Sequence, residues 1–247
     1  MLAFDLDGTL AETKTPMDNE MAELFGGLLE KRSMAIISGG SFEVFTHQLV
    51  ALERARKHLN NLTLFPVTGT KCYRFFEDGW KMLYAEELTT AEVQAIMDGF
   101  LKAFQDVAYQ HPAQVYGEII ENRGSQVTFS ACGQQAPLEV KKEWRAQHDR
   151  RAEIVAALQK YLVDFEVKMP GYTSIDVTRK GIDKAYAIHK IEELMDIKPE
   201  EIIFVGDALY EGGNDHAVIR TGATTVAVAN PEETKTLLRQ WIKEISS

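Results

Sequence analysis

The sequence predicts an α/β fold: a Rossmann-like parallel sheet covered by helices, interrupted by an inserted α+β module. Three observations predict it. Short apolar runs alternate with segments of helical period in the first sixty-odd residues and again after about residue 178. Between those stretches the rhythm changes to hairpins and longer helices. The polar residues richest in chemistry stand directly after the apolar runs, where a parallel sheet gathers the C-terminal ends of its strands.

Leu2 to Leu6 reads as a short buried strand. Met21, Leu24, Phe25, Leu28 and Leu29 then fall at i, i+3, i+4, i+7 and i+8, which predicts a helix over 17–31 with one apolar stripe. Met34 to Ile37 predicts a second strand, ending in Ser38-Gly39-Gly40, and a helix over 41–57 follows with Ser41 as its N-cap. Leu62 to Val67 is a third strand. From about residue 70 the pattern changes: Cys72 to Phe76 and Trp80 to Tyr84 flank Glu77-Asp78-Gly79, a hairpin around an Asp-Gly turn. Thr89 with Glu92 three residues on is a capping box that opens a helix over 90–106. Strand-like runs at 115–121 and 126–131, a helical stretch through 149–162, and strands near 164–169 and 172–177 complete a module with an antiparallel sheet. The α/β rhythm returns with a helix over 183–195, strands at Ile202–Val205 and Thr225–Ala229, and a last helix from Pro231, a residue suited to a first helical turn. The organisation this implies is a discontinuous core of 1–79 and 178–247 and a cap of 80–177.

Charge and composition narrow the function classes. Lys and Arg number 27 against 37 Asp and Glu, a net charge of −10, which disfavours nucleic acid and anionic membrane as partners. Two cysteines exclude a disulfide framework and a four-cysteine zinc site, and a reducing cytosol accounts for them more simply than a single bridge does. No apolar run approaches the roughly 18 residues of a membrane span. Asp5 and Asp7 arrive too early for a signal peptide. The expectation is a soluble, cytoplasmic protein acting on a small molecule, alone or as a homodimer.

Four segments carry chemistry. Asp5 and Asp7, at i and i+2 past a buried strand, point the same way and need a cation or a shared proton between them. Ser38-Gly39-Gly40 offers a hydroxyl and bare amides, an arrangement that suits phosphate. Lys184 starts a helix, an unfavourable place for a cation unless an anion is near. Asp207 follows the strand ending at Val205 and would add a hard oxygen ligand of the kind Mg²⁺ takes, with Gly212-Gly213-Asn214-Asp215 close behind. Singly, these also read as an Asp-Gly turn, an N-cap, a surface lysine and a loop cap. Their order and common place at strand ends set them apart.

In that order the segments resemble the four motifs of the haloacid dehalogenase (HAD) superfamily of aspartyl phosphotransferases. The inserted segment resembles the cap of its Cof-type (HAD-IIB) subgroup, which includes sugar phosphatases and eukaryotic-type phosphomannomutases. Gly206-Asp207 through Gly212-Gly213-Asn214-Asp215-His216 is similar to the last phosphomannomutase motif, and Ser38-Gly39-Gly40-Ser41-Phe42-Glu43 to the second. Ser174-Ile175-Asp176-Val177, followed by Gly181-Ile182-Asp183-Lys184, is similar to the stretch from the cap sugar site to the core lysine.

The resemblance implies roles. Asp5 would be the nucleophile, forming an aspartyl-phosphate, and Asp7 the general acid and then base. Mg²⁺ would be held by the carboxylates of Asp5 and Asp207 and the main-chain carbonyl of Asp7. Ser38 and the Gly39 amide would bind the phosphoryl oxygens, with Lys184 balancing their charge. Asn214 and Asp215 would support the metal and Lys184 from one layer further out. In the cap, Arg123, Ser174 and Asp176 stand where the family binds its substrate; Gln134 stands where an arginine is expected, Lys141 is the next basic residue, and Lys14 replaces another family arginine. Arginine grips a distal phosphate far better than glutamine does. The sequence therefore favours a Mg²⁺-dependent phosphatase that hydrolyses a hexose phosphate such as mannose 6-phosphate. The alternative is a phosphomannomutase interconverting hexose 1- and 6-phosphates, and a non-catalytic binding protein is a remote third reading.

Overall fold

A computed structural model describes residues 1–246. The chain forms two units: Met1–Ala85 together with the chain from Asp183 onward, and Glu86–Ile182.

The first unit is built on a seven-stranded sheet. In chain order its strands are β1 (Leu2–Phe4), β2 (Met34–Ile37), β3 (Leu62–Phe65), β4 (Lys71–Phe76), β5 (Gly79–Ala85), β10 (Ile203–Gly206) and β11 (Thr224–Ala227). They lie in the order β11-β10-β1-β2-β3-β4-β5. The strands from β11 to β3 run parallel, and β4 and β5 add an antiparallel edge. Period-two alternation divides each apolar run between two cores. Leu2, Phe4, Met34, Ile36, Leu62, Leu64 and Val205 face α1 (Asn19–Leu29) and α7 (Pro231–Ser246), whereas Ala3, Ala35, Ile37, Phe65 and Phe204 face α6 (Lys184–Met195). The uninterrupted hydrophobicity that predicts a strand buried on both faces thus fills two separate layers.

Three expectations need correction in this unit. The helix predicted over 41–57 is α2 (Phe42–Gln48) followed by a 3-10 stretch, Val50–Asn61. Leu49 leaves the helical region, and the polar run beyond it buries only Leu52 and Leu59, so no second apolar stripe holds an α-helical register. Ser41 occupies the N-cap position without a side-chain cap bond. The hairpin of β4 and β5 belongs wholly to this sheet, so the unit runs to Ala85 rather than to residue 79. Thr63 pairs with Arg74, the rings of Phe42 and Tyr73 stack 3.8 Å apart, and Phe75 and Trp80 pack into the first core.

The second unit holds α3 (Thr90–Asp106), β6 (Ile120–Asn122), β7 (Gln126–Ser130), α4 (Leu138–His148), α5 (Arg151–Tyr161), β8 (Phe165–Lys168) and β9 (Ser174–Arg179). It ends at Ile182 rather than 177. Its sheet is antiparallel in the order β6-β7-β9-β8. Val127, Phe129, Ile175 and Val177 form one core with Ile96, Phe100, Ile154 and Leu158 of the helices. On the other face Gln126, Thr128 and Ser130 lie beside Thr178, Asp176 and Ser174. The strand predicted over 115–121 shrinks to β6, and α4 has no counterpart in the sequence reading, because Lys141 and Trp144 are its only buried residues. No helix among the described residues is long and apolar enough to cross a membrane.

The capping box of α3 is complete: Glu92 N–H donates to Thr89 Oγ1 at 3.2 Å, and Thr89 N–H donates to the Glu92 carboxylate at 2.7 Å. Thr89→Ala should lower unfolding stability by about 1 kcal/mol, read from the midpoint of urea denaturation.

Candidate active site

The parallel register of β1 with β10 and β2 brings three strand ends together. Asp5 leaves β1 with its N–H donating to Val205 O at 2.9 Å. Ser38 leaves β2, and Asp207 leaves β10. Lys184 opens α6, whose N-cap is Asp183, accepting from the N–H groups of Ala185 at 3.0 Å and Tyr186 at 3.2 Å. The ammonium of Lys184, 2% exposed, donates to Asp5 Oδ1 and to Asp215 Oδ1, which accounts for a cation set against the helix dipole. Asp215 is fully buried, and its Oδ2 accepts from Ala208 N–H at 2.9 Å. Two glycines let these groups approach. A Cβ on Gly206 would lie 2.3 Å from Asp215 Oδ2, and one on Gly8, at φ +89°, would lie 2.5 Å from Asp207 Oδ2.

Asp5, Asp207 and Asp215 each bring a carboxylate oxygen within 4.8 Å of the others. Their three negative charges face the single positive charge of Lys184, leaving a formal −2. Burial pushes Asp5 up to about 7; Lys184 works against that rise, while Asp215 and Asp207 add to it. Asp207 is also raised, by burial and then by Asp215. For Lys184 burial opposes the charge, but Asp5 and Asp215 outweigh it and its pKa rises. Asp5 Oδ2 is buried with no hydrogen-bond donor among the described residues. Surplus negative charge, hard oxygen donors and an orphaned carboxylate oxygen suit a divalent cation such as Mg²⁺.

Asp7 stands apart from the three. Its Oδ1 accepts from Lys14 N–H at 2.6 Å and from Gln48 Nε2 at 3.0 Å. Its carboxylate is not part of the acid cluster, so any role toward a metal falls to its main chain. Asp215, predicted one layer further out, stands in the cluster itself, while Asn214 is exposed. Ser38 is 4% exposed, its Oγ accepts from Gly40 N–H at 3.4 Å, and its carbonyl accepts from Thr68 N–H at 2.9 Å. Above Gly39 the nearest obstruction to a Cβ is Thr68 Oγ1 at 3.8 Å, so its backbone is open to a ligand. Lys14 meets Asp7 through its backbone, which is left-handed at φ +59°, and its side chain is exposed.

The second unit has its own polar constellation. Arg123 donates from Nε to Glu121 at 2.7 Å and from Nη2 to Gln134 Oε1 at 3.2 Å. Gln134 Nε2 donates to Thr128 O at 3.1 Å, and its main-chain carbonyl accepts from buried Lys141 Nζ at 3.2 Å. Thr128 Oγ1 accepts from Gln126 Nε2 and donates to Asp176 Oδ1, each at 2.8 Å. Ser174 lies two residues before Asp176 on β9 and pairs with Ser130. Gln126 and Thr128 are not among the residues predicted for the site, though polar residues alternating with Val127 and Phe129 signal them. Gln48 is not predicted either, and the residues around it give no local signal.

With a chelator present, the raised Asp5 pKa means the folded protein holds a proton there between about pH 4 and 7 that the unfolded chain has lost. Metal-free protein should therefore lose stability as pH rises through that window, and Asp5→Asn should flatten the slope. Urea denaturation at pH 5 and pH 8 in the presence of EDTA measures both.

A profile of the family described as eukaryotic phosphomannomutase matches residues 21–244. Curated relatives named phosphomannomutase include one from Encephalitozoon cuniculi, 25% identical over 98% of this chain and 93% of that protein. Another, from Triticum aestivum, is 26% identical over 94% of this chain and 90% of its own length. Among solved structures, an N-terminally truncated, IMP-bound IMP-nucleotidase from Plasmodium falciparum superposes with a TM-score of 0.70 at 20% identity, covering 98% of this chain and 68% of its own. A trehalose-6-phosphate phosphatase related protein does so with a TM-score of 0.56 at 18% identity, covering 98% and 97%. At such identities the structures speak to the fold alone. The curated relatives overturn the expectation of a hydrolase, since along nearly their whole length the name they carry is phosphomannomutase. The extent of the profile match and these full-length relatives place the chain in the eukaryotic phosphomannomutase family.

Proposed function

We propose that this protein is a Mg²⁺-dependent phosphomannomutase that interconverts hexose 1- and 6-phosphates through an aspartyl-phosphate on Asp5. The observation that carries the reading is the state of Asp5: buried, bonded to Lys184 through one oxygen and left without a donor on the other, inside a cluster of three carboxylates. Asp5, Asp207 and Asp215, with the main-chain carbonyl of Asp7, would hold the metal. When bound it neutralises the surplus negative charge and polarises the phosphoryl oxygens.

In this reading the Asp5 carboxylate forms a bond to phosphorus as the bond from phosphorus to the sugar oxygen breaks, and Asp7 gives that oxygen its proton. Asp7, now a carboxylate, takes the proton of a sugar hydroxyl as that hydroxyl attacks the aspartyl-phosphate, returning Asp5 to its starting state. Ser38 and the Gly39 N–H hold the phosphoryl oxygens, and Lys184 balances their charge. In the second unit Ser174 and Asp176 bind sugar hydroxyls. Gln134 Oε1 accepts from Arg123, which also pairs with Glu121, and its main-chain carbonyl accepts from Lys141, so the residue that stands where an arginine is expected is itself bonded to two cations, which supports the mutase reading. The free, buried thiols of Cys72 and Cys132 support a reducing, cytoplasmic setting.

A paired assay with Mg²⁺ tests the reading. Conversion of mannose 1-phosphate to the 6-phosphate with a hexose bisphosphate activator should outpace phosphate release from either. Release without interconversion would overturn the reading. Asp5→Asn should cost about 10³-fold or more in turnover, while Asp7→Asn should retain slow formation of the aspartyl-phosphate without completing the cycle.

A further inference from the structure

Gln48 ends α2, is fully buried, and is the only side chain that hydrogen-bonds Asp7 among the described residues. Its Nε2 lies 3.0 Å from Asp7 Oδ1 and 3.2 Å from the main-chain oxygen of Thr15. Both neighbours are acceptors, so the amide can present only its NH₂ group to them and its orientation is forced. That orientation leaves Gln48 Oε1 buried without a donor among the described residues. A buried, unpaired amide oxygen is destabilising, and an apolar side chain of similar length would fold as well or better there. A residue that fold stability does not favour, aimed at a reacting carboxylate, calls for a functional reason.

The surrounding loop supplies it. Lys14, in a left-handed conformation, directs its N–H at the same Asp7 oxygen at 2.6 Å, and Met17 N–H donates to Gln48 O at 2.7 Å. Asp7 Oδ1 therefore receives two donors, one from the backbone and one from α2, and the carboxylate is locked in rotation. Oδ2 is left to move the proton. We infer that Gln48 is a positioning residue that fixes the Asp7 carboxylate with Oδ2 turned to the leaving and attacking sugar oxygens; the inference rests on the acid–base role proposed for Asp7. One short helix then links the two ends of the chemistry, since α2 starts just past Ser38-Gly39-Gly40 and ends on the group that orients Asp7.

The leaving group separates positioning from a general structural role. A sugar alkoxide needs a proton as it departs, whereas 2,4-dinitrophenolate leaves without one. With Mg²⁺ present, Gln48→Met should lower kcat for mannose 1-phosphate about 10- to 100-fold, with KM changed less than about 3-fold. The burst of dinitrophenolate from 2,4-dinitrophenyl phosphate should stay within about 3-fold of wild type, and Tm should hold or rise. Gln48→Leu serves as the second apolar variant should Gln48→Met fold poorly. Equal losses on both substrates, or no loss with the sugar phosphate, would overturn the inference. Wild-type protein that forms the dinitrophenolate burst and releases phosphate from mannose 1-phosphate without interconverting it would remove the mutase reading alone. The Gln48 comparison would then be read on that release.

Discussion

The first unit is organised around one buried ammonium. Lys184 lies between Asp5 and Asp215, and all three are almost wholly removed from water. A buried charge without a partner is prohibitive, so each of these residues makes the other two tolerable. The arrangement is deliberately unbalanced, however. Asp207 joins the two carboxylates without a second cation among the described residues, and burial drives Asp5 and Asp207 toward their protonated forms. A site that would prefer to be neutral on its own is a site waiting for positive charge. The same excess is what a divalent cation would neutralise.

Much of the surrounding backbone follows from that constraint. Lys184 reaches Asp5 and Asp215 from the first position of α6, and Asp183 caps that helix. Asp215 reaches the cluster because the chain after β10 turns back, with Asp215 N–H donating to Ala208 O at 3.2 Å. Gly206 and Gly8 are bare because carboxylates occupy the space a side chain would need. Asp7 is spared this crowding. It lies outside the acid cluster, its Oδ1 accepting from the neutral donors Lys14 N–H and Gln48 Nε2.

What could be read from the sequence was what is encoded locally. Asp5, Ser38 and Asp207 follow apolar strands directly, and in a parallel sheet that adjacency alone sends them to one edge. Lys184 was legible because a cation at a helix start is anomalous. Contacts made over long separations were not. Nothing near Gln48 says that it will meet Asp7, 41 residues earlier, since a glutamine in a helix is ordinarily exposed. The hairpin of β4 and β5 reads as the start of a new module because its alternation is antiparallel in character. Only its pairing with β3 and the packing of Phe75 and Trp80 assign it to the first sheet. Likewise α4, with two buried residues, lacks the apolar stripe by which a helix announces itself.

Gln134 shows why a substitution read on its own can point the wrong way. As an isolated residue it is an arginine lost, and a lost arginine weakens the hold on a second phosphate. In the folded unit it is a junction: its amide oxygen takes Arg123 Nη2, its amide nitrogen is anchored on Thr128 O, and its carbonyl takes Lys141 Nζ. Lys141, seven residues along and buried, brings an ammonium to the main-chain carbonyl of Gln134. A guanidinium at 134 has no acceptor to offer Arg123, whose other nitrogen Nε is paired with Glu121, whereas the amide oxygen of Gln134 can accept from it. The charge gathered around Gln134 is the sum over Arg123, Lys141 and Glu121, and that sum is a property of the fold rather than of any single position.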